Sequence, residues 1–147
     1  MRWILAVDTA GTEGCVTLAP AENVDSVREF PLNVRQRHAQ VLLPAIREAL
    51  STCGVRAADV SVVAVTSGPG SFTGLRVGIM AAKTWAYATG AQLVAIPSLV
   101  ALFQSWRTNS GPSTAPLPPR VWALENAQRG ELFASAFETA PNAEAAF

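Results

Sequence analysis

The sequence predicts an α/β domain built on a mixed five-stranded sheet, followed by a short C-terminal β-hairpin. Short, strongly apolar runs recur as far as residue 96, and such runs are typical of buried strands. Between them, the segments that begin near residues 38 and 74 change to the apolar spacing of helices. Half of the 147 residues are hydrophobic and 15% are charged, so a packed core is expected rather than disorder.

The first three predicted strands follow one another without a helix between them. Residues 3–7 (WILAV) are continuously apolar, which predicts a strand buried on both faces. A polar turn leads to a returning strand at residues 15–19. Residues 24–32 mix apolar and charged side chains, which favours a strand at the edge of the sheet. The three strands are therefore expected to form an antiparallel meander.

Two helix–strand units and a third helix are predicted next. The first helix begins at His38 and ends before Gly54, with Pro44 either in its first turn or at a bend. The remaining predicted elements are a strand at 60–65, an Ala-rich helix at 74–89 closed by Gly90, a strand at 93–96, and a helix from 98 to about 106 with Ser98 as its cap. The fourth and fifth strands are therefore expected to be parallel.

A Pro-rich stretch at residues 109–120 divides the chain. Residues 1–108 are predicted to form the main domain, 109–120 a linker, and 121–147 the truncated start of a second subdomain, a β-hairpin with strands at 121–124 and 131–137. Three meandering strands followed by alternating helices and strands is the order of the ribonuclease-H-like fold, which nucleases share with actin-like ATPases. Because unrelated activities share this fold, the order alone assigns no function.

Composition argues against several classes of function. Eleven basic and eleven acidic side chains cancel, so the positive excess of a nucleic-acid-binding domain is missing. No apolar run approaches the ~20 residues of a membrane span. Cys15 and Cys53 match no metal-ligand spacing and are expected to be reduced thiols in the cytoplasm. With His38 as the single histidine, neither a Cys/His zinc site nor a Ser/His/Asp triad is expected.

Two enzymatic activities of this fold need residues that the sequence supplies only in part. A two-metal nuclease needs several carboxylates; Asp8 and Glu48 are candidates, but the fourth strand ends in Thr66 and Ser67. An actin-like ATPase needs a polar phosphate-binding turn after the first strand, and residues 8–12 (DTAGT) fit one. It also needs a second domain with another phosphate loop, and residues 121–147 are too few to supply that domain.

The loop SGPGSFTGLR at residues 67–76 is the most informative segment. It is neither a P-loop nor a dinucleotide fingerprint, yet its glycines and the following helix start suit an anion. Together with the first turn, it gives these candidate nucleotide- or phosphate-binding residues: Asp8, Thr9, Gly11, Gly68, Gly70, Ser71, Phe72 and Thr73. The alternative is structural: Asp8 and Thr9 satisfy backbone groups of their turn, and Ser71 or Thr73 caps the helix.

Small residues recur at every fourth position of the second helix, from Gly74 to Gly90. Such a strip lets another helix approach closely, and we expect it to face a partner because bulky neighbours supply the internal face. Those neighbours are Val77, Ile79, Met80 and Trp85. The alternative is that the strip packs against the sheet or the first helix of the same chain. The predicted partner interface consists of His38, Leu42, Gly74, Arg76, Gly78, Ala82, Trp85 and Ala86.

Five segments of the sequence resemble one known family. They are MRWILAVDTA, RHAQVLLP, SGPGSFTGLRVGIMAAKTWAYATG, LVAIPSL and ENAQRGELF, and GPGSFTGLRVG is a highly specific signature. They are similar to the TsaB (YeaZ) family of tRNA threonylcarbamoyladenosine biosynthesis proteins, which resembles the M22 glycoproteases and the actin-like ATPase superfamily. The resemblance runs nearly end to end, although the family usually continues into a fuller second domain and has an acid where this chain has Asn126.

The resemblance implies a non-catalytic partner subunit of the tRNA N6-threonylcarbamoyladenosine transferase complex. It implies a homodimer or a heterodimer with the catalytic subunit TsaD, recruitment of the ATPase TsaE, contact with tRNA only through the complex, and a cytoplasmic location without membrane contact. No catalytic residue, metal or cofactor of its own is expected, and binding of ATP or ADP at the partner interface is left open. The alternative function is an ATP-dependent kinase-like or transferase enzyme of the actin-like ATPase superfamily.

Overall fold

The computed structural model describes residues 1–32, 38–109, 118–128 and 130–139. Its strands and α-helices are, in chain order, β1 (Trp3–Asp8), β2 (Cys15–Pro20), β3 (Arg28–Pro31), α1 (His38–Cys53), β4 (Val60–Thr66), α2 (Phe72–Thr89), β5 (Gln92–Ile96), α3 (Ser98–Asn109), β6 (Arg120–Gln128) and β7 (Glu131–Glu138). Short 3-10 helices at Val24–Ser26 and Ala57–Asp59 precede β3 and β4. The predicted third strand is therefore shorter than expected, because its first residues form a 3-10 turn.

Five strands form one mixed sheet in the order β3-β2-β1-β4-β5. β1, β2 and β3 pair antiparallel, whereas β4 runs parallel to both β1 and β5. The remaining strands, β6 and β7, form a separate antiparallel hairpin. The predicted mixed five-stranded sheet, the edge position of the third strand and the C-terminal hairpin are confirmed.

The core lies between one face of this sheet and the helices α1 and α2. Apolar side chains of β1, β2 and β4 point into it together with Leu42 and Ile46 of α1 and Ala82 of α2. On β1, Leu5 and Val7 are buried, whereas Ile4 and Ala6, which point to the other face, are only half-buried. The prediction that β1 is buried on both faces is therefore wrong for this second face within the described residues.

The ends of the helices follow local sequence signals. Gly54 and Gly90, which follow α1 and α2, have φ angles of 65° and 75°, the left-handed conformation that ends helices at little cost in glycine. Ser71 caps α2, since its hydroxyl accepts the amide hydrogen of Gly74 at 3.2 Å. Ser98 begins α3, but its hydroxyl has no hydrogen-bond partner in the described part of the chain, so its predicted capping role is wrong.

The hairpin packs against α3. The ring of Phe137 in β7 stacks on that of Phe103 in α3 with centroids 4.4 Å apart, and Ala123 of β6 is buried. Most of the predicted linker, residues 110–117, lies outside the described residues, as do residues 140–147, so the domain boundaries stay a prediction. Within the described residues, no helix is both long and apolar enough to cross a membrane.

Candidate functional site

A cleft of about 940 Å³ lies where the β1–β2 turn, the start of α2 and the hairpin come together. It is lined by Ala10, Gly11, Thr12, Ala39, Gly70, Ser71, Phe72, Thr73, Gly74, Val77, Glu125, Asn126, Ala127 and Phe133. The parallel pairing of β1 with β4 brings their carboxyl ends to one edge, and the turn and the loop that follow these strands line the cleft. Ligands of open α/β sheets commonly bind at such an edge.

Asp8 fixes the turn at the end of β1. One of its carboxylate oxygens accepts the hydroxyl hydrogen of Thr66 and the amide hydrogen of Ala10, both at 2.9 Å. Thr66 ends the neighbouring parallel strand, so the carboxylate links two adjacent strand ends. The first of these bonds is between strands and the second is within the turn, which agrees with the structural interpretation of Asp8.

Thr9 holds the start of α2 against β1. Its side chain is fully buried, and its hydroxyl donates to the carbonyl oxygen of Gly74 at 2.8 Å. The Ser71 amide donates to the Ala10 carbonyl at 2.7 Å. Because Thr9 is buried and its hydroxyl is already bonded, it is a structural residue and does not reach a ligand in the cleft.

The glycines of this region allow the close approach of α2 to the end of β1. A Cβ added to Gly74 would overlap the carbonyl oxygen of Thr9, and one added to Gly78 would overlap the Thr9 hydroxyl. A Cβ on Gly70 would lie 2.7 Å from the Ala10 carbonyl oxygen. Steric fit within the chain therefore explains these glycines without a ligand.

The small-residue strip of α2 faces the chain's own sheet, and the prediction that it faces a partner is wrong. Gly74, Gly78 and Ala82 are buried against β1 and β4. Leu42, also assigned to the interface, is in the core at 1% exposure. The physical reason is the overlap just described: the helix lies so close to β1 that only small residues fit on this side.

The other predicted interface residues are distributed differently. Arg76 is exposed, whereas Trp85 and Ala86 are half-buried. The side chain of His38 lies outside the described part of the chain, although its backbone begins α1. Of the bulky residues assigned to the internal face, Val77, Ile79 and Trp85 contact the core, but Met80 is 61% exposed.

Five of the eight predicted nucleotide- or phosphate-binding residues line the cleft. They are Gly11, Gly70, Ser71, Phe72 and Thr73, whereas Asp8, Thr9 and Gly68 are not among the lining residues. The residues of the hairpin that line the cleft, Glu125, Asn126, Ala127 and Phe133, were missed. They belong to the segment ENAQRGELF, which the family resemblance includes. The sequence did not indicate that this segment lies beside the two loops.

The chemistry of the lining does not favour a phosphate. Glu125 is its only ionisable residue, and no lysine or arginine lines the described part of the cleft. Arg76 lies nearby on α2, with its guanidinium carbon 5.4 Å from the centre of the Phe72 ring. Without a cation among the described lining residues, the Glu125 carboxylate repels an anion in this cleft.

The described residues assemble no metal centre or activated nucleophile at the cleft. They contain no group of three or more His, Cys, Asp or Glu side chains that could hold a metal ion. Cys15, which pairs with Asp8 across β1 and β2, is partly buried, and this burial raises the pKa of its thiol. A raised pKa keeps the thiol protonated at neutral pH and therefore unreactive.

The side of α2 that points to solvent carries large side chains. Phe72, Arg76, Met80 and Tyr87 are all exposed, and their spacing places them along one helix face, which the exposed Lys83 shares. Tyr87 is 94% exposed and Phe72 74%. Leu43 of the adjacent helix α1 is 60% exposed. We call Leu43 and these four α2 residues the helix face.

A protein-family model matches most of this sequence. The model of TsaD: tRNA N6-adenosine threonylcarbamoyltransferase matches residues 26–143. Together with the mixed sheet, this match defines an α/β domain of the TsaD type, with an actin-like fold. The predicted fold class is confirmed.

Individual relatives show which family of TsaD-type domains this chain is most similar to among those compared. The tRNA threonylcarbamoyladenosine biosynthesis protein TsaB of Escherichia coli (strain K12) is 34% identical over 141 residues, 95% of this chain and 56% of that protein. TsaB of Bacillus subtilis (strain 168) is 27% identical over 92% of this chain and 55% of its own length. The structure of YeaZ from Pseudomonas aeruginosa superimposes with a TM-score of 0.81 at 28% identity, over 94% of this chain and 61% of that one.

The chain belongs to the TsaB (YeaZ) family. The resemblance seen in the five sequence segments is thereby confirmed. The chain spans about half the length of the curated TsaB relatives that it matches.

Proposed function

We propose that the chain acts in tRNA threonylcarbamoyladenosine biosynthesis as a non-catalytic partner subunit of the tRNA N6-threonylcarbamoyladenosine transferase complex. In this role it binds the catalytic subunit TsaD, works with the ATPase TsaE, and meets tRNA only through the complex in the cytoplasm. The observation that carries the proposal is the helix face, an exposed and largely apolar surface on a chain whose cleft offers little to a reacting substrate.

The helix face replaces the small-residue strip as the proposed partner surface. Solvent-exposed aromatic and Met side chains are unusual on a helix that already buries its opposite side, and such residues are enriched at protein interfaces. Arg76 stacks on Phe72, so the charged end of Arg76 stays available at the rim while the ring offers contact area. A homodimer that uses this same face competes with the TsaD heterodimer.

The cleft supports a non-catalytic role better than an ATP-dependent enzyme. Phosphoryl transfer needs several cations or metal ligands around the phosphates, and among the described lining residues Glu125 is the one ionisable side chain. The alternative of a kinase-like or transferase enzyme therefore has less support.

The proposal is tested by measuring the affinity for TsaD from the same genome with substitutions on the helix face. Met80→Glu and Tyr87→Glu place a charge on an apolar contact, so each is expected to weaken binding by at least about 10-fold. Both residues are exposed, so the melting temperature should stay close to that of the unaltered chain.

Leu102→Glu is the matched control. Leu102 is an apolar residue of α3 that is 46% exposed and lies outside the helix face, so this variant should bind TsaD as tightly as the unaltered chain. Undiminished binding by both α2 variants would show that the partner surface is elsewhere. Absence of any TsaD binding by the unaltered chain would reject the proposed function itself.

A further inference from the structure

Glu125 is a half-buried carboxylate in the wall of the cleft. Within residues 1–32, 38–109, 118–128 and 130–139, no side chain forms an ion pair or a hydrogen bond with it. A charge that is partly withdrawn from water and lacks a partner is costly, and a cation that reaches it relieves this cost. The cleft therefore has a point of attraction for positive charge that contacts described within the chain leave unused.

An aromatic ring lies directly beside this carboxylate. Glu125 of β6 pairs with Phe133 of β7, and both line the cleft. Residues paired in this way have their Cβ atoms about 5 Å apart on one face of the hairpin. The ring of Phe72 lines the cleft from the start of α2, and Phe72 and Phe133 are 74% and 44% exposed. Because the faces of aromatic rings attract cations, both rings add to the attraction of the carboxylate.

The start of α2 offers less to an anion than its position suggests. The Ser71 amide donates to the Ala10 carbonyl, and the Gly74 amide donates to the Ser71 hydroxyl, so two of the amides in this region are already bonded. Arg76 is not among the lining residues; its guanidinium lies over the ring of Phe72. The described part of the cleft thus favours a positive ligand over a phosphate.

We propose that the cleft binds a guanidinium group carried on a short apolar chain, with Glu125 as its counter-ion. A guanidinium is flat, so it stacks on aromatic rings and also pairs with a carboxylate through two parallel hydrogen bonds. The hydroxyls of Thr12 and Thr73 line the same cleft and are suitable acceptors for its remaining donors. Ala39 and Val77 supply apolar surface for the chain that carries it.

The size of the cleft agrees with such a ligand. Its volume of about 940 Å³ falls in the range of sites that hold small molecules or short peptide segments. An arginine side chain of a peptide and a free alkylguanidine share the chemistry that Glu125 and the two rings recognise.

The inference goes beyond the proposed function and does not depend on it. Phe72 belongs both to the helix face and to the cleft lining, so the test variants are taken from the hairpin, which has no residue in the helix face. A chain that never binds TsaD still binds the guanidinium, and a chain with an empty cleft still binds TsaD through the helix face.

The first test compares two ligands of the same shape on the unaltered 147-residue chain. Butylguanidinium carries the charge, and butylurea is its neutral counterpart. Titrations followed by NMR of the backbone amides use about 0.15 M salt, where long-range attraction between exposed charges is largely screened. Butylguanidinium is expected to shift the signals of Gly11, Gly70 and Ser71 and to bind at least about 10-fold more tightly than butylurea. Equal affinities, or no shift of these signals, would overturn the proposal.

The second test assigns the charge preference to one carboxylate. Glu125→Gln keeps the size of the side chain and should abolish the preference for butylguanidinium over butylurea. Glu131→Gln is the control, since it makes the same change of net charge on an exposed residue of β7 outside the cleft lining, and it should keep the preference. Phe133→Leu removes the neighbouring ring and should weaken butylguanidinium binding by about 3-fold. Thermal melts check that the variants are folded, and the ligand comparison decides the matter if one is not.

Two further arms separate the sources of the ligand and the rival chemistry. A blocked tripeptide with a central arginine that binds more tightly than butylguanidinium would support a peptide side chain as the natural ligand, whereas weaker binding would support a free guanidine. ADP is expected to leave the three amide signals in place. ADP binding that Glu125→Gln strengthens, together with no butylguanidinium binding, would show an anion site and contradict the proposal, as would equal losses of butylguanidinium affinity in Glu125→Gln and Glu131→Gln.

Discussion

At the scale of single residues, the least expected result is the role of Thr9. The sequence left both a phosphate-binding and a structural role open for it, and the structure buries it as the contact between β1 and α2. The sequence alone did not distinguish these roles, because small polar residues suit both a ligand and a tight turn. The decisive information is the distance between two segments that are 65 positions apart in the chain.

The close approach of α2 to Thr9 predicts the effect of Gly74→Ala. Alanine raises helix propensity by ~1 kcal/mol, but the new Cβ overlaps a backbone oxygen, and overpacking of this kind costs ~1–3 kcal/mol. We therefore expect a net loss of stability, measured as a lower melting temperature. Gly11→Ala is the control, since its Cβ would be 3.6 Å from the nearest atom and should change stability little. A melting temperature that rises with Gly74→Ala would contradict the proposed packing.

At the scale of elements, the sequence predicted the strands and helices well, but it predicted that the wrong side of α2 faces the sheet. Apolar runs and glycines that end helices are local signals, so the predicted boundaries of α1 and α2 lie within about two residues of the observed ones. Which side of α2 faces the sheet depends on the separation of the two backbones. Gly74 and Gly78 are on the inside because α2 starts directly above the end of β1.

Because one side of α2 is buried and the other is exposed, the same substitution at two alanines of α2 should affect stability differently. Ala82 is 1% exposed in the core, so Ala82→Leu should lower stability by ~1–3 kcal/mol through overpacking. Ala88 is exposed on the same helix, so Ala88→Leu should stay within about 0.5 kcal/mol of the unaltered chain. Chemical denaturation of both variants measures the free energy of unfolding. Equal stability of the two variants would mean that Ala82 is not packed against the sheet.

At the scale of the whole molecule, the cleft shows what sequence reasoning leaves out. The sequence named the β1–β2 turn and the β4–α2 loop together as candidate phosphate-binding segments, and the parallel pairing of β1 with β4 brings them to one edge of the sheet. The contribution of the hairpin was missed, since the contact of Glu125 and Phe133 with that site depends on how β6 and β7 pack against α3. Long-range packing of this kind leaves no periodic signal in the sequence.

The balance of charge over the whole chain also bears on function. Eleven basic and eleven acidic residues give no net attraction for tRNA, so the chain has little counterion release to gain from binding tRNA alone. The proposed role in tRNA modification is therefore expected to rely on a partner that holds the tRNA.

Formation of threonylcarbamoyladenosine in tRNA, measured by mass spectrometry of the nucleosides, tests this central claim most directly. The chain alone, supplied with ATP, the threonylcarbamoyl donor and tRNA, is expected to yield no modified nucleoside. TsaD and TsaE from the same genome are expected to yield it only when the chain is added. Modification by the chain alone, abolished by Asp8→Ala, would contradict the account, as would full activity of TsaD and TsaE without the chain.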